Sequence, residues 1–212
     1  MIQVITVERE YGSQGAEFAH LLADRLGWKH IDSCIIEDVA RKAGVAPALV
    51  KRCDERIDPW LYRFNKAIWF GSLERHPGDP EVFDSERMVE FTRGYLVEQA
   101  AQGNVVVVGR GAACLLARAP GAFHVFVHAS MARKIRWVEE HFPEHAKEAE
   151  REIIATDRRR AEYIRRFHQR EWDDRRLYHL MLNSCMGMDA MVDATIAAAA
   201  LHPAAVASRH AG

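Results

Sequence analysis

Residues 4–22 combine three features that suit phosphate binding: a β-branched run, a short turn with two glycines, and an amphipathic helix. The turn is Gly12-Ser-Gln-Gly15, and it joins a predicted strand, Ile2 to Val7, to a helix with Phe18 on its apolar face. Backbone N–H groups point outward where a helix begins, and the helix dipole adds positive potential there. The candidates for holding a phosphate group are therefore Gly12, Ser13, Gln14 and Gly15. Alone, such a turn is a weak signal, because many strand–helix connections contain two glycines.

A second group of residues is the run Val105-Val-Val-Val-Gly-Arg-Gly-Ala112. Four consecutive valines are typical of a strand buried on both faces of a parallel sheet. Ligands of such sheets bind at the carboxyl ends of the strands, and Arg110 comes directly after the carboxyl end of this run. A guanidinium there can bind a phosphate or a pyrimidine edge through two parallel hydrogen bonds. We expect Arg110 to bind a ligand, and a structural salt bridge is the alternative.

The third feature is an arginine-rich stretch, with nine arginines and six acidic residues between positions 151 and 176. A charge run is usually a solvated helix face. This one clusters its arginines, and Arg158, Arg165 and Arg166 can share part of one face. Clustered guanidinium groups can stabilise the charge on a phosphoryl group during transfer.

The elements that must position these residues alternate between strand and helix. The predicted strands are Ile2 to Val7, Lys29 to Asp32, Val105 to Val108, Phe123 to Val127 and Leu180 to Asn183. This order predicts an α/β fold with three layers, α/β/α, around a parallel, five-stranded sheet. We find no linker, so we predict one domain over residues 1–201, and a disordered tail over 202–212.

Composition excludes several classes of function. The chain has 212 residues and a formal net charge of −1, so the whole molecule does not attract nucleic acid electrostatically. No apolar run approaches the roughly 20 residues of a membrane span. The first residues lack the basic region of a signal peptide, so we expect a cytoplasmic protein.

Several of these stretches together resemble a known family. The run Ile5-Thr-Val-Glu-Arg-Glu-Tyr-Gly-Ser-Gln-Gly15 is similar to the opening of the cytidylate-kinase-like family, within the P-loop nucleoside-monophosphate kinase superfamily. The stretch Asp157-Arg-Arg-Arg-Ala-Glu-Tyr163 is similar to the family's C-terminal half. The resemblance covers about residues 1–40 and 104–200, and it implies a P-loop kinase fold. It also implies that residues 44–100 form a helical acceptor-binding insertion and that 144–176 form an arginine-rich lid over ATP.

The phosphate loop departs from the pattern of the superfamily. Gly15 falls on the position of the phosphate-binding lysine, and Glu17 falls on the hydroxyl residue that would hold Mg²⁺. Gln14 replaces a usual glycine. The loop therefore needs positive charge from elsewhere, and Arg9 is the nearest candidate. The alternative is that Arg9 is an exposed surface arginine.

The resemblance implies a phosphotransferase that moves the γ-phosphoryl group of ATP, with Mg²⁺, to a nucleoside monophosphate, most simply CMP or dCMP. A catalytically impaired nucleotide-binding regulatory protein and a kinase of another small acceptor are the alternatives, and either a monomer or a homodimer is compatible with the sequence. Asp32 has a second possible role, as the cap of a following helix. The implied site residues are the lid arginines Arg158, Arg160 and Arg165, the acceptor-binding Asp32 and Arg110, and the weak metal candidates Glu10 and Glu17.

Overall fold

A computed structural model describes residues 1–32 and 85–207, without the side chains of 85–89, 91 and 201–207. The strands are β1 (Val4–Arg9), β2 (Lys29–Ile31), β3 (Val105–Val108), β4 (Ala122–His128) and β5 (Leu180–Asn183). The helices are α1 (Gly15–Leu26), α2 (Ser85–Gln102), α3 (Ala112–Leu115), α4 (Met131–His141), α5 (Ala149–His168) and α6 (Met188–Ala207). Two short 3₁₀ helices, Pro143–Glu148 and Ser184–Met186, precede α5 and α6.

The five strands form one sheet in the order β2-β3-β1-β4-β5, and every neighbouring pair is parallel. The valine run of β3 is buried at all four positions, as its sequence predicted. Strand β1 lies at the centre, where Val7 pairs with Val108 on one side and with Val125 on the other. The predicted five-stranded parallel sheet is confirmed.

Helices cover both faces of this sheet. On one face, Ile5 and Val7 belong to a core cluster with Phe18 and Leu22 of α1 and Met191 of α6. This packing follows from the period of two along the strand, which turns alternate residues of β1 to the same side.

On the opposite face, Phe126 of β4 clusters with Ile164 of α5 and with the aromatic side chains of Trp172 and Tyr178. The predicted three-layer α/β/α arrangement is therefore confirmed.

Two connections at the carboxyl edge of the sheet lie side by side. The loop after β1 and the turn after β3 follow paired strands, and the Gly109 N–H donates to the Val7 carbonyl at 2.9 Å. Parallel strands end at the same edge, so the two predicted ligand-binding segments meet there.

Three helices differ at their ends. The predicted lid region, 144–176, does not begin as an α-helix, because Pro143–Glu148 first forms a 3₁₀ helix. Ser130 stands at the N-cap of α4, but its side chain makes no capping hydrogen bond. Helix α6 runs on to Ala207 through an alanine-rich sequence that favours helix.

The chain divides into two compact units, Met1–Asp32 with Gln99–Gly212, and Ser33–Glu98. The second unit covers most of the predicted insertion 44–100, of which the structure describes only the helical residues from Ser85 onward. Within residues 1–32 and 85–207, no helix is both long enough and apolar enough to cross a membrane. The single domain and the disordered tail stay predictions, and residues 208–212 lie outside the described part.

Candidate functional site

The loop after β1 is a tight turn that only small or strained residues can form. Gly12 has a φ of +76°, and a β-carbon there would lie 2.9 Å from the carbonyl oxygen of Lys134 in α4. Ser13 is buried, and its hydroxyl donates to the Glu10 carbonyl at 2.8 Å, which closes the turn. The loop therefore packs closely against α4.

The loop feeds directly into the N-terminus of α1. The Phe18 N–H donates to the Gln14 carbonyl at 3.0 Å, so the N–H groups of Gly15, Ala16 and Glu17 precede the first bond of the helical ladder. Gln14 itself has a φ of +63°, a left-handed conformation that costs a non-glycine residue about 1–2 kcal/mol. Gln14 therefore holds a backbone conformation that a glycine at this position would adopt without strain.

The side chain of Arg9 runs from the loop after β1 to the turn after β3. A β-carbon built on Gly15 would lie 2.3 Å from the β-carbon of Arg9 and 2.9 Å from its γ-carbon. A β-carbon on Gly109 would lie 2.2 Å from Nη1 of the same arginine. The stem of Arg9 therefore lies against Gly15, and its guanidinium lies against Gly109.

The turn after β3 consists of three consecutive residues in the left-handed region. The φ angles are +68° at Gly109, +63° at Arg110 and +66° at Gly111. A β-carbon on Gly111 would lie 2.3 Å from Nε2 of His168, the last residue of α5. Arg110 is therefore a non-glycine residue held in a strained conformation, which is a common property of ligand-binding positions.

Burial lowers the pKa of Arg110 to about 10, while the nearby Tyr163 and Asp32 raise it. The guanidinium thus stays charged at neutral pH in a poorly solvated place. Asp32 follows β2, the neighbour of β3, so the structure brings the two predicted acceptor-binding residues near each other. The helix that Asp32 was predicted to cap lies outside the described residues.

A buried carboxylate, Glu8, lies beneath this turn. Its side chain is 4% exposed, and Oε2 accepts a hydrogen bond from the Trp172 indole at 3.3 Å. Burial raises the pKa of Glu8, against the opposing effects of Arg9, Trp172 and Arg160.

Two side chains of α5 make hydrogen bonds to the backbone of the loop after β1. The Tyr11 N–H donates to Oδ1 of Asp157 at 2.7 Å. Nη1 of Arg160 donates to the Arg9 carbonyl at 2.7 Å, and its guanidinium lies 6.0 Å from the centre of the Tyr11 ring. Of the three predicted lid arginines, Arg160 is the one in direct contact with the loop.

The other two predicted lid arginines lie on the solvent side of α5. Arg158 pairs with Glu162 at 2.9 Å, and its side chain is 77% exposed. Arg165 pairs with Glu171 at 2.7 Å, and its side chain is 63% exposed. The structure therefore does not bring Arg158 and Arg165 together with Arg160.

A lysine that the sequence interpretation missed lies between the loop and α5. Nζ of Lys134 is 3.1 Å from Oε2 of Glu10 and 2.9 Å from Oδ2 of Asp157, and the lysine side chain is 7% exposed. Burial raises the pKa of Asp157, against the hydrogen bonds from Tyr11 and Lys134. The sequence signal was weak, because a lysine in a charged amphipathic helix is normally assigned to the solvent face.

The predicted metal candidates do not form a metal cage. Oε2 of Glu10 already accepts from Lys134 and from the Ala129 N–H at 3.1 Å. Glu17 lies in the first turn of α1. In the described part of the chain, no three His, Cys, Asp or Glu side chains are grouped so as to hold a metal ion. The described carboxylates therefore offer no preformed cage, and a Mg²⁺ ion would be held mainly by the phosphates of a nucleotide, which is a usual way for proteins to bind this ion.

Comparisons with known proteins agree with this geometry. The sequence model of the Cytidylate kinase-like family matches residues 4–185. No protein of curated function matches the chain significantly.

Three solved structures share the fold. An uncharacterized protein from Eubacterium ventriosum has a TM-score of 0.66 at 18% identity, over 92% of this chain and 96% of its own. A gluconokinase from Sinorhizobium meliloti has a TM-score of 0.56 at 13% identity, over 98% and 97%. A shikimate kinase from Bacteroides thetaiotaomicron has a TM-score of 0.51 at 13% identity, over 91% and 96%. At these identities the solved structures indicate a common fold alone.

Proposed function

This chain belongs to the Cytidylate kinase-like family, and on that premise we propose that it transfers the γ-phosphoryl group of ATP to a nucleoside monophosphate, with CMP or dCMP as the first candidates. The observation that carries the proposal is the convergence of three arginines on the loop and turn at the carboxyl edge of β1 and β3. These are Arg9, Arg110 and Arg160. Phosphoryl transfer depends mainly on positioned positive charge, and this arrangement supplies it.

The donor nucleotide would bind at the loop after β1. The residues Gly12, Ser13, Gln14 and Gly15 would surround the phosphates, with backbone N–H groups at the start of α1 as donors. Arg9 would supply the charge that a lysine at residue 15 provides elsewhere in the superfamily. Its stem already occupies the space beside Gly15.

The acceptor would bind at the turn after β3. Arg110 is held there as a charged, poorly solvated group, and it can pair with the acceptor phosphate or a pyrimidine edge. Asp32 would accept from a ribose hydroxyl or a cytosine amino group. The acceptor phosphate is already an anion, so the reaction requires no general base.

Arg160 would act at the transferring phosphoryl group, because it reaches the loop from α5. Arg158 and Arg165 would join it only after exchanging their partners, Glu162 and Glu171, for phosphate oxygens. Exposed ion pairs of this kind contribute little stability, so the exchange would be readily reversible. Mg²⁺ bound with ATP would neutralise charge on the phosphate oxygens when the nucleotide is present.

One observation favours a second candidate function. The loop carries neither the lysine nor the hydroxyl residue of an orthodox P-loop, since Gly15 and Glu17 stand at those positions. A nucleotide-binding regulatory protein with impaired catalysis would also explain this pattern. A kinase of another small acceptor is compatible as well, because residues 33–84 lie outside the described part.

The test is a coupled assay of ADP formation with ATP, Mg²⁺ and each nucleoside monophosphate in turn, together with shikimate and gluconate. We expect acceptor-dependent turnover with CMP or dCMP that falls in Arg160→Ala far more than in Arg158→Ala. Turnover only with a different acceptor would replace the proposed substrate. ATP binding without turnover on any acceptor would contradict the kinase proposal and favour the regulatory protein.

A further inference from the structure

A second arginine reaches the phosphate loop from a different helix. Arg133 lies in the first turn of α4, and its Nη2 donates to Oε1 of Gln14 at 3.0 Å. Gln14 is the last loop residue before α1. The half-buried guanidinium of Arg133 therefore stands at the loop, although no sequence motif pointed to it.

The hydrogen-bonding capacity of this guanidinium is only partly used. Its Nε atom is buried and lacks a hydrogen-bond partner within residues 1–32 and 85–207. Its observed acceptor is a neutral amide oxygen, and in that same part of the chain no carboxylate forms an ion pair with it. A buried guanidinium N–H without an acceptor is costly. The hydrogen bond to Gln14 uses one of the five N–H donors, so the half-buried guanidinium keeps donors with which it can bind an anion.

The neighbouring cation on α4 is in the opposite situation. Lys134 bridges two carboxylates, Glu10 and Asp157, and its charge is neutralised within the protein. Of these two consecutive cations, Arg133 is thus the one with charge available to a ligand at the loop.

We propose that Arg133 is a phosphate-binding residue of the donor site and that Gln14 orients it. The guanidinium contacts a phosphate oxygen of the nucleotide that the loop holds. This inference rests on the proposed function, and it explains why a strained glutamine stands where glycine would fit without strain. The amide side chain of Gln14 is the hydrogen-bond acceptor that fixes the arginine, which glycine could not provide.

The test compares the binding of ADP and of adenosine to the full chain by calorimetry. In Arg133→Met we expect the ADP affinity to fall about tenfold or more, as for the loss of a hydrogen bond between charged groups, with little change for adenosine. Arg136→Met is the matched control, because Arg136 is exposed on the same helix, and it should leave both affinities unchanged.

Gln14→Gly separates orientation from folding. It removes the strained residue, so the melting temperature should not fall, while the ADP affinity should still drop by severalfold. If Arg133→Met binds ADP as the wild type does, or loses adenosine and ADP affinity equally, the inference is wrong and the proposed function stands. If the wild type binds neither ATP nor ADP, the proposed function fails, and this inference falls with it.

Discussion

The stem of Arg9 fills the space into which any side chain at Gly15 would project, since a β-carbon at residue 15 would lie 2.3 Å from the β-carbon of Arg9. The absence of a lysine at residue 15 and the position of the Arg9 side chain are therefore linked, because both side chains would need the same space. A lysine cannot simply be restored at residue 15 while Arg9 keeps its place. On the proposed function, Arg9 would take the place of that lysine and would approach the phosphates from the end of β1.

Restoring the lysine should therefore harm the protein. In Gly15→Lys we expect the free energy of unfolding to fall by about 2 kcal/mol or more, because the new side chain overlaps Arg9 and makes a tight contact with Val127. Arg9→Gly combined with Gly15→Lys should recover much of that loss. Urea denaturation measures both. Gly94→Ala is the control and should not destabilise the chain, because beyond its own helix backbone no atom of the described residues lies within 4 Å of the added β-carbon. Equal stability of wild type and Gly15→Lys would contradict the exchange.

Lys134 should matter for stability more than any exposed cation of α5. Lys134→Met removes the buried cation that Glu10 and Asp157 share, and we expect a loss of about 3 kcal/mol in the free energy of unfolding. Arg158→Ala, which breaks only an exposed pair with Glu162, should cost less than about 1 kcal/mol. Chemical denaturation at neutral pH checks both values, and a similar loss for the two variants would show that the lysine is not the link between loop and helix.

The backbone at Arg110 is strained, so we expect a glycine at this position to relieve strain and at the same time to weaken acceptor binding. Arg110→Gly relieves about 1 kcal/mol of backbone strain, because glycine adopts a φ of +63° without strain, and it removes the interactions of the guanidinium with Tyr163 and Asp32. The same change should raise the KM for the acceptor at least tenfold and the KM for ATP much less. Asn104→Gly is the matched control, since Asn104 also has a positive φ, of +53°. Asn104→Gly should raise stability without changing either KM. A stable Arg110→Gly variant with an unchanged acceptor KM would show that Arg110 does not bind the acceptor.

The buried carboxyl of Glu8 should make stability depend on pH. Burial raises its pKa above 4.5 in the folded chain, so between that value and the folded pKa the folded state holds a proton that the unfolded state has lost. The stabilisation from that proton is fully present below pH 4.5 and is lost as pH rises through the folded pKa. The stability of Glu8→Gln relative to the wild type should therefore increase from pH 4.5 to pH 8. Urea denaturation at several pH values measures this difference, and a difference independent of pH would contradict it.

The architecture was largely predictable from the sequence. The run Val105–Val108 is apolar on both faces and β-branched throughout, so its place in a parallel sheet follows from composition alone. Helix α1 ends before Gly27, because glycine accepts the left-handed conformation at the end of a helix, and this is a signal that the sequence contains. Both features depend on neighbours that are close in sequence.

The contacts that build the site could not be predicted in the same way. Lys134 meets Glu10 across 124 positions of sequence, and no local pattern distinguishes it from a solvated lysine. The separation of Arg160 from Arg158 depends on the rotation of α5 about its axis once it is packed, which the arginine cluster does not encode. The sequence showed only that Arg9 is close to the loop along the chain. The structure shows that its stem lies against Gly15 and that its guanidinium lies against Gly109.

The most direct test of the account is the rate of CDP formation from ATP and CMP by the wild type, by Arg9→Lys and by Arg9→Met, followed by chromatography of the products. We expect CMP-dependent formation of CDP by the wild type, a fall in kcat of about 100-fold or more in Arg9→Met, as for the loss of one charged group at a phosphoryl-transfer site, and partial recovery in Arg9→Lys. A wild type that forms no CDP, or an Arg9→Met variant as active as the wild type, would contradict the claim that this arginine replaces the loop lysine in a phosphotransferase.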